Sequence, residues 1–234
     1  MLRPHYYYGL LLLSLSIYST PTLAELRSYQ ASYQVVKSGL TLGTMNAQVN
    51  ISGPNYTYTR QTQANGLAAV LSGDRLTEQA QGTIKGAQLL PKSYLYDHKN
   101  RRKERRDQFR FTSPTAVAGQ KDGSAYQLTV PAGTLDPSSM ELKLMDDVAA
   151  NRPLNYRVTE KGGLKNYQIQ KLGNETISVP AGQFNTVKVQ VARSGSERQT
   201  TFWLAPTLNY APVKMLHNEE GDVIETQLLN YNGR

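Results

Sequence analysis

The densest run of chemically capable side chains lies between His98 and Arg110, HKNRRKERRDQFR. Lys99, Arg101, Arg102, Lys103, Arg105, Arg106 and Arg110 fall within twelve residues, against only Glu104 and Asp107. Guanidinium forks suit phosphate and carboxylate groups, so Lys99–Arg106 is the candidate ligand contact, directed at an anionic lipid or glycan. Along a strand the charges would divide between two faces; at a hairpin tip they can all reach one anionic surface. The competing role is a solvated hairpin whose charge blunts edge pairing. Tyr94, Tyr96, Phe109 and Phe111 flank the tip as alternating strand residues and do not interleave with its cations. That pattern speaks against a base-stacking platform for nucleic acid.

Other chemistry is sparsely supplied. With His5 in the N-terminal leader, only His98 and His217 remain, and there is no cysteine. A zinc site needs three or four ligands, so no metal is expected. No Gly-x-Ser-x-Gly elbow marks a nucleophile, and the dispersed glycines form no phosphate-binding loop, so no cofactor is expected. Activation of a serine or threonine by a histidine would need the fold to bring them together. Asp146-Asp147 and Glu219-Glu220 are adjacent pairs that do not converge on one substrate atom and read as solvated acids. Asp97, Glu175 and Glu197 are isolated. No catalytic residue is assigned.

The elements that must position these residues are mostly strands. Asn174–Val191 is the clearest case. Ile177 and Val179 share one face, Val187, Val189 and Val191 share another, and Pro180-Ala181-Gly182 makes the turn between them. Phe184 breaks the parity of the valines, so a bulge or a turn-packing role is expected there. Similar alternation covers Tyr29–Val35, Met45–Ile51, Tyr56 onward, Arg75–Ile84, Leu89–Tyr96, Gln108–Thr112 and Tyr126–Val130. It returns in Leu154–Glu160, Asn166–Leu172, Gln199–Leu204, Val213–His217 and Val223–Tyr231. Leu67–Leu71 is a short apolar piece, either a helical turn or a buried crossover. Pro137–Ala150 is the best helix, with Asp136 as cap, Pro137 in the first turn and Ser138/Glu141 resembling a capping box; Met140, Leu144, Met145 and Val148 form its apolar face. Trp203, the only tryptophan, faces away from Phe202 and Leu204, so one face of its strand could line a cavity and the other pack under the helix. About a dozen strands with one or two short helices predict an all-β fold: a single antiparallel curved sheet or partly closed β-barrel.

Residues 1–24 read as a cleavable signal peptide: Arg3, a short apolar run over Tyr6–Ile17, and small residues at Thr22-Leu23-Ala24. Residues 25–234 form one domain. Losing Arg3 from 26 basic residues leaves 25 against 18 acids, a net +7. An exported basic chain with no lipid-attachment cysteine and no later membrane-length segment is expected to be periplasmic, with anionic envelope surfaces as neighbours and no nucleic-acid partner.

A set of motifs adds to this. It comprises Gly173-Asn174-Glu175-x-Ile177-x-x-Pro180-Ala181-Gly182-x-Phe184-x-Thr186-x-Lys188-Val189, then Phe202-Trp203-Leu204-Ala205-Pro206 and Pro212-Val213-Lys214. Tyr33-x-Val35 with Gly39-x-x-x-Gly43, and Leu90-Pro91-x-x-Tyr94, precede them. The set resembles the exported family of Gram-negative bacteria known as domain of unknown function 3108, over nearly the whole mature chain. Pro180, Gly182, Phe184 and Trp203 are its structural signature. The resemblance implies a periplasmic, barrel-like β-fold broadly similar to lipoprotein carriers, and it supplies no catalytic residues. The leading functional expectation is a non-enzymatic binding protein for an amphipathic or anionic envelope component, lipid or glycan. An adaptor in outer-membrane assembly or secretion, and a wall or glycan hydrolase using two carboxylates from separate strands, are the alternatives.

Overall fold

The computed structural model describes residues 26–193 and 198–233; the expected signal peptide lies outside the described residues. One antiparallel sheet contains β1 (Tyr29–Lys37), β2 (Leu40–Ser52), β3 (Asn55–Ala64), β4 (Arg75–Lys85), β5 (Gln88–Lys99), β6 (Glu104–Ser113), β7 (Ala116–Lys121) and β8 (Ser124–Thr129). It continues with β9 (Asn155–Glu160), β10 (Gly163–Val179), β11 (Gly182–Arg193), β12 (Gln199–Ala205), β13 (Ala211–Glu219) and β14 (Asp222–Gly233). Helix α1 (Gly66–Ser72) joins β3 to β4, and α2 (Pro137–Ala149) lies between β8 and β9. None of the described helices is long and apolar enough to cross a membrane.

The strands run β8-β7-β6-β5-β4-β3-β2-β1-β14-β13-β12-β11-β10-β9. Every neighbour in that order is consecutive in the chain except β1 and β14, which pair from Tyr29↔Gly233 to Val36↔Glu225. The result is an up-and-down meander closed through its own ends, with its open seam in mid-chain between β8 and β9. Side chains and a short parallel bridge span that seam. Asp107 on β6 accepts hydrogen bonds from the Tyr126 hydroxyl (2.8 Å) and the Lys161 backbone N–H (2.5 Å). Leu135, just before α2, bridges to Val158 on β9.

Alternation in the sequence becomes inside and outside. Tyr29, Ala31 and Tyr33 on β1, Met45, Ala47 and Val49 on β2, and Tyr56 and Tyr58 on β3 are all buried. The barrel core they form also contains α2. As expected, Asp136 caps α2: its carboxylate accepts from the Ser139 backbone N–H at 2.9 Å, and Pro137 sits in the first turn. Two expectations about this helix are corrected. Glu141 does not close a capping box but reaches strand β3. Asp146 and Asp147 are not solvated. Inside a barrel every helix face is covered, so both are buried, and they are neutralised by Arg152 and Lys143 with a further bond from the Tyr156 hydroxyl.

Of the two roles expected of Phe184, the bulge is absent: Phe184 pairs directly with Ile177, the irregularity falls on the partner strand between Lys171 and Gly173, and the Phe184 ring packs against the core beside the turn. Gly173 there has φ +114°, a value side-chain-bearing residues rarely adopt. Past the bulge the β10–β11 hairpin reaches over the barrel end, where the Ala181 N–H donates to Leu228 O on β14 at 3.0 Å. β10 is therefore one strand of 17 residues where the sequence pattern suggested two. Its turn residue Gly182 has φ +131°.

Candidate functional site

All connections from an odd strand to the next even one lie at one end of the barrel, called the mouth; the other connections lie at the far end. Above α2 the interior holds a cavity of about 410 Å³. Met45, Leu76, Met140, Phe202, Met215 and Ile224 supply its apolar wall. Its lining also includes Thr62, Tyr96, Lys161, Arg198 and His217, all next to odd-to-even connections, so it opens at the mouth. Pro137, Met140 and Glu141 of α2 form its floor. Towards the far end the last turns of α2, with Met145 and Asp146, meet Tyr29 and the Pro206–Tyr210 segment around a smaller space of about 120 Å³. A wider, open groove of about 990 Å³ lies on the outer face of β4–β8, lined by residues such as Gln79, Gln81 and Gln120. It gathers no ionisable cluster.

One charged cluster sits in the cavity wall. Arg60 on β3 donates from Nε and Nη2 to Glu78 Oε2 of β4 (2.9 and 2.5 Å), and from Nη1 to Glu141 Oε2 of α2 (2.8 Å). The remaining carboxylate oxygens accept from tyrosines: Tyr94 to Glu78 Oε1 at 2.9 Å and Tyr58 to Glu141 Oε1 at 2.5 Å. Burial works against the Arg60 charge, but Glu78 and Glu141 outweigh it and raise its pKa well above the ordinary value. Burial first, and then the neighbouring glutamates, push the Tyr58 and Tyr94 hydroxyls well up, so both remain donors. Two acids from separate elements thus converge, as a glycosidase would require. However, both act as acceptors toward the same guanidinium, whereas a general acid must carry a transferable proton. The cluster fixes α2 against β3 and β4 and gives the cavity a polar wall.

The histidines are also placed. His217 Nδ1 lies 3.0 Å from Thr200 Oγ1, its cross-strand partner, and both line the cavity. Glu219 is 3.9 Å from His217 Nε2, beyond hydrogen-bond reach. His98 pairs with Asp74 at 3.0 Å, not with Asp97.

The sequence-derived contact residues Lys99, Arg101, Arg102, Lys103, Arg105 and Arg106 form the β5–β6 tip at the mouth, and all six are exposed. None lines the cavity. Lys99 pairs with Glu104 (3.3 Å) and Arg106 with Asp97 (3.5 Å). The cavity cluster escaped sequence reasoning because its members are scattered. A signal was present: Arg60 continues the inward parity of Tyr56 and Tyr58, and Glu78 shares the inward face of Ala80. A charge on an apolar face needs a partner there.

Of the signature residues, Trp203 meets other residues of the motif set at a different place. Trp203 does not pack under the helix, because α2 is inside the barrel and Trp203 is on the opposite face of its strand. Its indole N–H donates to Glu175 Oε2 at 3.0 Å, and the ammonium groups of Lys188 and Lys214 lie 4.9 and 5.2 Å from its ring centroid. Lys188 also pairs with Glu175 at 3.0 Å. The Trp203 N–H and Lys188 hold the Glu175 carboxyl below its usual value. These are the glutamate, lysines and tryptophan of the motif set, drawn into one contact beyond the Gly173 bulge.

A family model described as "Protein of unknown function (DUF3108)" matches residues 28–220. The chain belongs to this family. Among solved structures, a beta-barrel-like protein of domain of unknown function DUF1849 from Brucella abortus is similar at 14% identity and a TM-score of 0.58, covering 90% of this chain and 99% of that one. A candidate lipoprotein from Parabacteroides distasonis aligns over 88% of this chain and 96% of its own at 10% identity, with a TM-score of 0.33. No curated protein matches. The Brucella likeness supports the barrel-like DUF3108 fold; it carries no activity with it.

Proposed function

We propose that this DUF3108 protein is a periplasmic, non-enzymatic carrier or sensor that holds the apolar part of an amphipathic envelope molecule in the barrel cavity. The cavity is the observation that carries the reading: about 410 Å³, apolar on most sides, floored by α2 and open at one end. That volume is in the range of small-molecule sites and suits one acyl chain or one end of a larger lipid. The Arg60–Glu78–Glu141 cluster supports binding over catalysis, since every carboxylate oxygen already accepts a bond. The polar rim at Thr200 and His217 can meet a head group while the chain is buried.

Organic extracts of the protein purified from its native host, analysed by mass spectrometry, should contain a stoichiometric amphipath. The delipidated chain should bind the fluorescent fatty acid cis-parinaric acid. Ile224→Trp, which fills the cavity from its wall, should abolish that binding while leaving the circular dichroism spectrum intact. Wild-type protein that neither retains nor binds a single-chain amphipath rejects the reading.

A further inference from the structure

Helix α1 is apolar on a face that nothing covers. Its sequence, GLAAVLS, contains no charged residue, and none of its residues is buried. Leu67, Val70 and Leu71 stand at i, i+3 and i+4, so they share one helix face, and they are 72%, 59% and 69% exposed. Leu40, 68% exposed, opens β2 at the same end of the barrel. Isolated exposed leucines are ordinary, but a contiguous helical face of them is not.

This face is fixed beside the basic tip. The Arg101 backbone N–H donates to Ser72 O at the end of α1 (3.0 Å), and His98 bonds Asp74 immediately after it. Within the tip, Lys99 and Arg106 have acidic partners; Arg101, Arg102, Lys103 and Arg105 show none among the described residues. One end of the barrel therefore presents three uncovered aliphatic side chains next to four uncompensated cations. Apolar side chains that enter the acyl boundary, flanked by basic groups at head-group level, match the surface of an anionic bilayer.

We propose that the α1 face and the β5–β6 tip together dock the mouth of the barrel onto an anionic phospholipid bilayer. A protein partner would need a complementary acidic and apolar surface; a membrane supplies both without a specific fold. Docking stands on surface residues outside the cavity, so it can hold or fail whatever the cavity binds.

The test is vesicle flotation of the chain from Glu25, which retains every strand and helix described. It should float with vesicles of equal parts phosphatidylglycerol and phosphatidylcholine, stay in solution with pure phosphatidylcholine, and be released by high salt. Replacing Arg101, Arg102, Lys103 and Arg105 by glutamine should lower the partition coefficient about five-fold per residue. Leu67→Ser, Val70→Ser and Leu71→Ser together should lower it at least about ten-fold, since the inserted apolar area is lost. Because the chain has no cysteine, an environment-sensitive fluorophore on Leu67→Cys reports insertion directly. It should shift to the blue with phosphatidylglycerol vesicles, whereas the same label on Ala181→Cys, at the far end, should not. Absence of binding, equal binding to neutral vesicles, variants that float like the parent, or equal shifts at both labels would overturn the proposal. So would membrane-independent capture of the mouth by a protein partner.

Discussion

The two ends of the barrel are built on opposite terms. Towards the far end the named charges are paired, Asp146 and Asp147 with Arg152 and Lys143, and the hairpin tip is held by its bond to Leu228. The nearby Trp203 lies between two ammonium groups and a carboxylate. At the mouth, three aliphatic residues of α1 face water and four cations of the tip have no acidic partner among the described residues. The motif residues Glu175, Lys188, Trp203 and Lys214 belong to the paired set. A motif can therefore mark contacts within the barrel, while the uncovered surface is where the proposed membrane contact would form.

Substitutions test this contrast. The largest effects are expected where groups are covered. Trp203→Ala should cost about 3–5 kcal/mol in urea unfolding, because a buried ring and its N–H bond are lost. Arg60→Met should cost a similar ~3–5 kcal/mol, since it strands Glu78 and Glu141 without a countercharge. Milder losses would mean that the interior relaxes or hydrates more than its packing indicates.

Asp136 adds a pH test. Burial pushes its carboxyl up to about 6, partly offset by the bonds from Ser139. The folded chain therefore holds this proton more tightly than the unfolded chain, whose carboxylate titrates near ~3.9. Stability from this group is full below about pH 4 and declines as pH rises towards about 6, by at most about 3 kcal/mol. Asp136→Asn still caps α2 but cannot ionise, so unfolding midpoints measured across that window should lose this slope. An unchanged slope would assign it to other groups, such as Asp107, whose burial also raises its pKa.

Gly182→Val should cost about 1–3 kcal/mol through backbone strain alone, because a Cβ at that position meets only Phe184, at 4.0 Å. Smallest of all, Leu67→Ser or Arg102→Gln at the mouth should each change stability by less than about 0.5 kcal/mol. A mouth variant that melts the barrel would show that this end is structural too, and the contrast would fall.

Much of the fold was legible because a period of two is hard to mistake over long strands such as β2, where inward Met45, Ala47 and Val49 alternate with polar residues. β7 was not. Its Ala116-Val117-Ala118-Gly119 stretch has small residues on both faces, and its inward Gly119 is set by a close approach: a Cβ there would sit 2.5 Å from Gln108 O. The basic tip was visible because its charges are contiguous. The Arg60–Glu78–Glu141 cluster was not, because Glu141 is 81 residues from Arg60 and meets it only once α2 enters the barrel. Likewise, nothing in GLAAVLS distinguishes a buried crossover from an exposed helix until its surroundings are known.

The pairing of β1 with β14 has a consequence for synthesis. The first strand of the barrel finds its second neighbour only when the last strand has been made, nearly two hundred residues later. The ladder from Tyr29↔Gly233 to Val36↔Glu225 thus makes completion of the sheet wait on β14. Contacts this distant in sequence favour slow folding. Until they form, β1 and β13 each present an unpaired edge, the form in which strands aggregate.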